Sequence, residues 1–244
     1  MKGKIPYKNQ SLNANVVISK NSKQWVLFLC GGSLETGKER FLGWQNELKA
    51  TGVSSVAFDY VGVPGTWDTV GGSSLQSRIE QVISVVSWIE DCVAAEELIV
   101  YGVSMGGYLA LGATAALPGV VSKLVLHAPA AYTKTAQELP FDTAFTKAIS
   151  QPESWDDARS FSWLAGFTGP VLFFQPELDE VIPAKITNRY VSIGKEKSNF
   201  AQVHLPNATH RCWGGSDSDQ IVRKTIATAL VNFIKGDNDF KQKD

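Results

Sequence analysis

With 244 residues, 44% of them hydrophobic and 19% charged, the chain has the composition of an ordinary soluble globular protein, long enough for one large α/β domain or two small ones. A net charge of −1 without any basic run argues against nucleic acid or an acidic membrane surface as partner, and no apolar run reaches membrane-spanning length. Cys30, Cys92 and Cys212, odd in number and without C-x-x-C spacing, form neither a disulfide framework nor a metal site, so the expectation is a cytoplasmic protein with reduced thiols.

The first ten residues begin basic but lack the apolar stretch of a secretory signal. Asn15–Ser19 is a short β-prone run, followed by the turn-like Lys20-Asn21-Ser22-Lys23 and by a buried strand over Gln24–Cys30; a hairpin between the two is expected. Glu39–Ala50 carries Phe41, Leu42, Trp44 and Leu48 at helical spacing, with Gly52 where a C-terminal cap belongs. Val53–Tyr60 is the next strand, closing on Asp59 and the loop Gly62-Val63-Pro64-Gly65. A helix is expected from Leu75 to Val93, because Leu75, Ile79, Val82, Val86, Ile89 and Val93 share one face.

The stretch from Leu98 to Leu111 is the centre of the pattern. A compact apolar run passes through Gly102-Val103-Ser104-Met105-Gly106 into an Ala- and Leu-rich helix, which is the strand, turn and helix context of a nucleophile elbow. A strand that turns into a helix around one residue leaves no room for side chains at the flanking positions, hence glycine there. Ser104 is then held clear of the backbone, and the amide of Met105 opens the helix, where it can donate to a developing oxyanion.

Further along, Lys123–His127 and Val171–Phe174 read as strands, Ala184–Tyr190 as a helix, Phe200–Leu205 as a final strand, and Asp219–Ile234 as a last helix. The segment 236–244 reads as a polar tail. Strands alternate with helices and are continuously apolar, so the fold class is α/β, a mostly parallel sheet covered on both faces. Ala128–Phe167 exceeds a simple crossover and places Phe141, Phe145, Trp155, Phe161, Trp163 and Phe167 amid polar residues. It is expected to contain a small helical cap over the site, within 129–167, the alternative being an ordinary crossover helix with long flanks.

A serine nucleophile needs a base, and the base needs an orienting acid. Ligands gather outside the carboxyl ends of strands in such sheets, so both should lie just past strand ends. Of the three histidines, His204 falls inside the last strand and His127 ends the strand after the elbow, while His210 lies on the loop beyond the last strand and is the expected base. Glu177, Asp179 and Glu180 compete on the preceding loop. Asp179 is expected to be the acid, since Asp179-Glu180-Val181-Ile182-Pro183 places it at the loop apex before a proline that starts the next helix. The two glutamates are expected to be solvated loop charges. Cys30 and Cys212 should both lie near the active edge, where bulky thiol reagents would obstruct the site; two small buried core residues are the alternative.

Gly102-Val103-Ser104-Met105-Gly106-Gly107, Asp179-Glu180-Val181-Ile182-Pro183 and Asn207-Ala208-Thr209-His210, in that chain order, resemble the α/β-hydrolase family over almost the whole length, from about Gln24 to Ile234. The resemblance implies a single α/β-hydrolase domain over 1–244, with Ser104 as nucleophile, Asp179 as acid and His210 as base. It also implies an oxyanion hole from the amide of Met105 and from the loop Cys30-Gly31-Gly32-Ser33, with the second donor at Gly32 and Ser33 the runner-up. Ser33, Trp155, Phe161 and Trp163 are the expected substrate-binding residues. Departures from the family pattern are Cys30 and Val103, where relatives often have His, and Pro176, where the acid loop usually carries Gly. Asp59, with the residues that follow it, resembles a loop-shaping segment of the family. The implied function is hydrolysis of a carboxylic ester or thioester through a covalent acyl-enzyme, with no cofactor and no metal. The implied partner is a small-molecule acyl substrate, with neither nucleic acid nor membrane involved and the oligomeric state open. A non-hydrolytic binding or receptor module, or an acyltransferase, peptidase or C–C hydrolase, would suit the same residues.

Overall fold

The computed structural model describes residues 2–32, 37–61, 73–93, 95–212 and 217–236. Among these, eight strands form one sheet: β1 (Lys2–Tyr7), β2 (Gln10–Val17), β3 (Gln24–Leu29), β4 (Ser54–Phe58), β5 (Glu97–Val103), β6 (Lys123–His127), β7 (Val171–Leu178) and β8 (Phe200–Thr209). Their spatial order is β1-β2-β4-β3-β5-β6-β7-β8. β3 to β8 run parallel, and β1 with β2 adds an antiparallel edge. The parallel part is covered on both faces, so Val26–Leu29, Val56–Phe58, Leu98–Tyr101, Leu124–Leu126 and Val171–Phe174 are buried without alternation.

Seven helices cover it: α1 (Leu42–Ala50), α2 (Leu75–Val93), α3 (Met105–Ala116), α4 (Thr143–Ile149), α5 (Arg159–Gly166), α6 (Ala184–Lys195) and α7 (Asp217–Lys235). On one face α2, α3, α5 and α6 pack in a row. On the other, α1 and α7 are joined by Arg223, which donates to Glu47 at 2.8 Å and lies over the Trp44 ring. Gly52 closes α1 at a φ of +93°, the left-handed cap that its sequence position called for.

The expected hairpin between the runs at 15–19 and 24–30 does not form. β2 pairs with β1 across a turn at Lys8, which has a φ of 49°, and on its other side with β4. The reason is burial. β3 is apolar throughout, and lying between the parallel strands β4 and β5 buries its whole length, which a position beside the edge strand would not. β1 itself was not legible, because its lysines face out while Ile5 and Tyr7 alone carry the inward side.

β7 and β8 extend beyond their expected ends. Gln175–Leu178 and His204–Thr209 continue as a ribbon projecting past the sheet, with an irregular register between Pro176 and Leu178. Proline cannot donate to a ladder and sits where the pairing shifts. This ribbon carries the loop of Asp179, and His210, to the carboxyl edge. The loop at Gly62–Gly65, Ser33 and the tail beyond Gly236 lie outside the described residues.

Candidate active site

β5 enters α3 through Ser104, at φ 54° and ψ −120°, a conformation that side-chain-bearing residues rarely adopt. A Cβ on Gly102 would collide with the backbone of Gly106 and Gly107, and one on Gly106 with the carbonyls of Leu29 and Cys30. The strain persists because the surroundings over-determine it. The Ser104 amide donates to the His127 carbonyl at 2.9 Å, and its own carbonyl accepts from Gly107 at 2.9 Å and Ala130 at 3.0 Å.

The loop after β3 crosses directly over this elbow. A Cβ on Gly31 would lie 3.3 Å from Ser104 Cβ, and one on Gly32 would lie 2.9 Å from Met105 Cε. Gly32 therefore rests on the residue whose amide opens α3. The far end of the loop is pinned by Asp59, whose carboxylate accepts the Lys38 amide at 2.8 Å and pairs with the Lys38 ammonium. Asp59 thus shapes the loop on the β3 side.

At the other side of the edge, Asp179 and His210 meet. Asp179 Oδ2 lies 3.0 Å from His210 Nδ1, and both side chains are largely buried. Asp179 Oδ1 accepts the amides of Val181 at 2.9 Å and Ile182 at 2.8 Å, so its own loop fixes the carboxylate. Burial works against ionising Asp179. The bonds from His210 and from the Ile182 and Val181 amides outweigh it and hold its pKa below the ordinary carboxylate value. An ionised Asp179 accepts from Nδ1–H and leaves Nε2 as the free nitrogen of a neutral ring. Among the described residues, this is the one direct side-chain hydrogen bond within the trio Ser104, Asp179 and His210.

Glu177 and Glu180 differ from the solvated charges expected of them. Glu180 Oε2 accepts the His210 amide at 3.0 Å, and Glu177 Oε2 accepts the Asn207 amide at 2.7 Å. Asn207 has a φ of 56°, and its amide, like that of His210, belongs to the ribbon past the sheet. Three carboxylates of this loop, Glu177, Asp179 and Glu180, thus hold the segment that carries His210. That bond to the His210 amide also lowers the Glu180 pKa.

His127 is completely buried and is not the base. Tyr101 Oη lies 2.9 Å from its Nδ1 and Cys212 Sγ 3.6 Å from its Nε2. Burial first, then the neighbouring His210, pushes its pKa down to about 3, so it stays neutral. His204 is exposed on β8. Cys30 and Cys212 are at the active edge but sealed, 3% and 1% exposed, and burial raises the Cys30 thiol to about 12. The buried alternative therefore holds over the expected reagent sensitivity; Cys92 is the exposed thiol.

The expected substrate-binding aromatics are packing residues in this structure. Phe161 lies 4.8 Å from the Tyr190 ring and under Arg189, between α5 and α6, and Trp155 abuts Phe161. Trp163 packs on Tyr108 and lines a cleft of about 500 Å³ with Pro118, Gly119 and Gly169, at the amino ends of β6 and β7, the opposite end of the sheet from Ser104. The amphipathic period of α5 turns Trp163 onto α3 and Phe161 onto α6. The other half of the segment does reach the elbow: Ala130 bonds Ser104, Tyr132 packs on Tyr108, and the Phe141 amide donates to Ser73 at 3.0 Å.

One residue at the edge escaped the sequence pattern. Arg78 is 2% exposed on the inner face of α2, and its Nη1 lies 3.2 Å from Met105 Sδ. The available signal was a charge inside the stripe formed by Leu75, Ile79 and Val82. Among the described residues, no cluster of three or more His, Cys, Asp or Glu side chains is placed to hold a metal ion. No helix there is long and apolar enough to cross a membrane.

A family model described as "Serine aminopeptidase, S33" matches residues 21–155, more than half of the chain. In structure the chain is similar to Est1E from Butyrivibrio proteoclasticus, solved with ferulic acid bound, at 17% identity and a TM-score of 0.69 over 93% of this chain and 98% of that one. It is similar to an esterase from Exiguobacterium antarcticum at 17% identity and 0.68 over 96% and 100%, respectively. A monoacylglycerol lipase from Paleococcus ferrophilus gives 17% and 0.67 over 91% and 98%. At such identities the likeness establishes the α/β-hydrolase fold. No curated protein matches the sequence.

Proposed function

The chain belongs to the α/β-hydrolase family described as serine aminopeptidase, S33, and is a hydrolase; from that premise we propose that it cleaves a carboxylic ester or thioester through Ser104, His210 and Asp179. The observation that carries the reading is the 3.0 Å Asp179–His210 bond on a ribbon projecting past the carboxyl edge where strained Ser104 sits.

Ser104 Oγ attacks the acyl carbonyl and passes its proton to His210 Nε2. Ionised Asp179 stabilises the imidazolium and keeps Nδ1 protonated. Negative charge develops on the former carbonyl oxygen, and the amides of Met105 and Gly32 are the assigned donors. Collapse of the tetrahedral intermediate breaks the bond to the leaving alkoxide or thiolate, which takes the proton from His210. Water, deprotonated by His210, then releases the acid and restores Ser104. Strain at Ser104 holds the nucleophile toward the substrate before any substrate arrives.

The test is turnover of p-nitrophenyl esters of graded acyl length beside the matching acyl thioesters, with Ser104→Ala as control. Turnover lost by on the order of 10³-fold or more in the variant supports the reading. Near-normal turnover by Ser104→Ala removes it. The family's printed description favours peptide cleavage as a second reading; amino-acid p-nitroanilides in the same assay separate the two.

A further inference from the structure

Among the described residues, Arg78 is a cation buried without an anion. Its Cζ lies 4.8 Å from the Tyr60 ring and 4.6 Å from the Phe141 ring, one edge of the guanidinium meets the Met105 thioether, and Nε is buried with no acceptor. Among the described residues no carboxylate pairs with it. The groups its charge feels are Tyr60, Tyr132 and Cys30, and burial raises the pKa of each, so all three are neutral. Burial also lowers the pKa of Arg78 itself, a direct sign that the folded protein bears a cost for holding this charge dry. Two aromatic faces and a sulfur return part of that cost, but they leave the buried Nε donor unused. Natural cores seldom keep a charge in this condition unless a ligand completes it.

The location says which ligand. Among the described residues, the Met105 side chain bridges the guanidinium and Gly32: its Sδ lies 3.2 Å from Nη1 and its Cε is the nearest atom to the position of a Gly32 Cβ. Met105 and Gly32 are the residues assigned to the oxyanion, so a single side chain, that of Met105, links Arg78 to the assigned donors. Nε, which is without an acceptor, shares with Nη2 the planar edge by which a guanidinium grips a carboxylate with two parallel bonds. The unbranched Met105 side chain is the adaptable element there, able to yield its contact with Nη1 to a stronger acceptor.

Building on the hydrolase reading above, we propose that Arg78 is a specificity-determining residue that binds a carboxylate at the end of the acyl chain, so that the preferred substrates are half-esters or half-thioesters of short dicarboxylic acids. A neutral acyl chain of equal length would fill the same space and leave the guanidinium unpaired. That difference separates the two substrate classes.

The experiment compares kcat/KM for p-nitrophenyl hydrogen glutarate with that for p-nitrophenyl valerate, matched in chain length, in the parent, Arg78→Gln and Arg78→Lys. The ratio within one sample does not depend on how much of a variant is folded. The expected result is a parent preference for the half-ester that falls by on the order of 100-fold in Arg78→Gln and is partly kept in Arg78→Lys. A parent that prefers valerate, or a ratio unchanged in Arg78→Gln, overturns the proposal and identifies Arg78 as a cation held only by its rings. If neither ester is hydrolysed, the ester-cleavage reading is the one that fails. Calorimetric titration with glutarate then decides on Arg78 separately: binding to the parent that is lost in Arg78→Gln supports the proposal, and no binding to the parent overturns it.

Discussion

His210 is held from two directions at once, by its ring and by its backbone. The ring bond to Asp179 sets the tautomer, and the amide bond to Glu180 sets where the ring begins. Asp179→Asn keeps an oxygen for the Val181 and Ile182 amides but turns an amide group toward Nδ1–H, which favours the wrong tautomer. The expected loss in kcat is on the order of 10⁴-fold near neutral pH with little change in KM. Glu180→Gln retains an acceptor for the His210 amide and should stay within about threefold of the parent, whereas Glu180→Ala, which removes it, should lose about 10-fold in kcat. Steady-state kinetics on the three variants checks the ranking, and an Asp179→Asn enzyme as active as Glu180→Gln would mean that another group orients the base. At this scale the sequence pointed to Ser104, Asp179 and His210, and the structure joins two of them through the Asp179–His210 bond; a motif with a backbone reason surrounds Ser104, and chain order restricts its partners. It could not carry Arg78 or the two glutamates. A charge acquires its role from what three-dimensional packing sets against it, and neither the α2 stripe nor the acid loop encodes that locally.

Among the elements, the segment from Pro129 to Phe167 divides in two. Its first half lies on the elbow and the start of α2, through Ala130, Tyr132 and Phe141, while its second half packs as α5 between α3 and α6. Sequence pattern showed an insertion rich in aromatics but not the direction in which each ring faces, since an amphipathic helix can bury its rings against a neighbour or against a ligand. Phe161→Ala is expected to destabilise the fold by about 3–5 kcal/mol as a buried ring removed from a packed interface. It should also leave the relative rates on short and long acyl esters as they were. Thermal unfolding together with the ester panel checks both; reordered rates at unchanged stability would return Phe161 to the substrate pocket. The β7–β8 ribbon is the element least legible beforehand, because Pro176 reads as the end of a strand and here marks only a shift of register.

For the molecule as a whole, the alternation of apolar strands and helices was enough to anticipate a mostly parallel sheet, whereas the β1–β2 edge depended on competition for positions beside β3. The same sheet buries His127 neutral at the carboxyl end of β6, and this has a consequence for acid stability. The folded pKa of about 3 lies below the unfolded value near 6.5, so the unfolded chain binds the extra proton between those limits. Stability from this residue is therefore complete above about pH 6.5 and is lost as pH falls toward 3. In His127→Gln the slope of unfolding free energy against pH over that window should be shallower, by up to about 1.4 kcal/mol per pH unit. Denaturant titrations across the window measure it, and an unchanged slope would mean that His127 is charged in the fold. All of the chemistry assigned here converges on one oxygen atom at the edge of this sheet. Reaction of the folded protein with a fluorophosphonate, followed by peptide mass spectrometry, reads that atom directly. The expected adduct is on Ser104 alone, formed rapidly in the parent, slowed by on the order of 10³-fold or more in His210→Ala, and absent in Ser104→Ala. An adduct on another residue, or a folded parent that stays unlabelled, would contradict the assignment of Ser104 as the nucleophile.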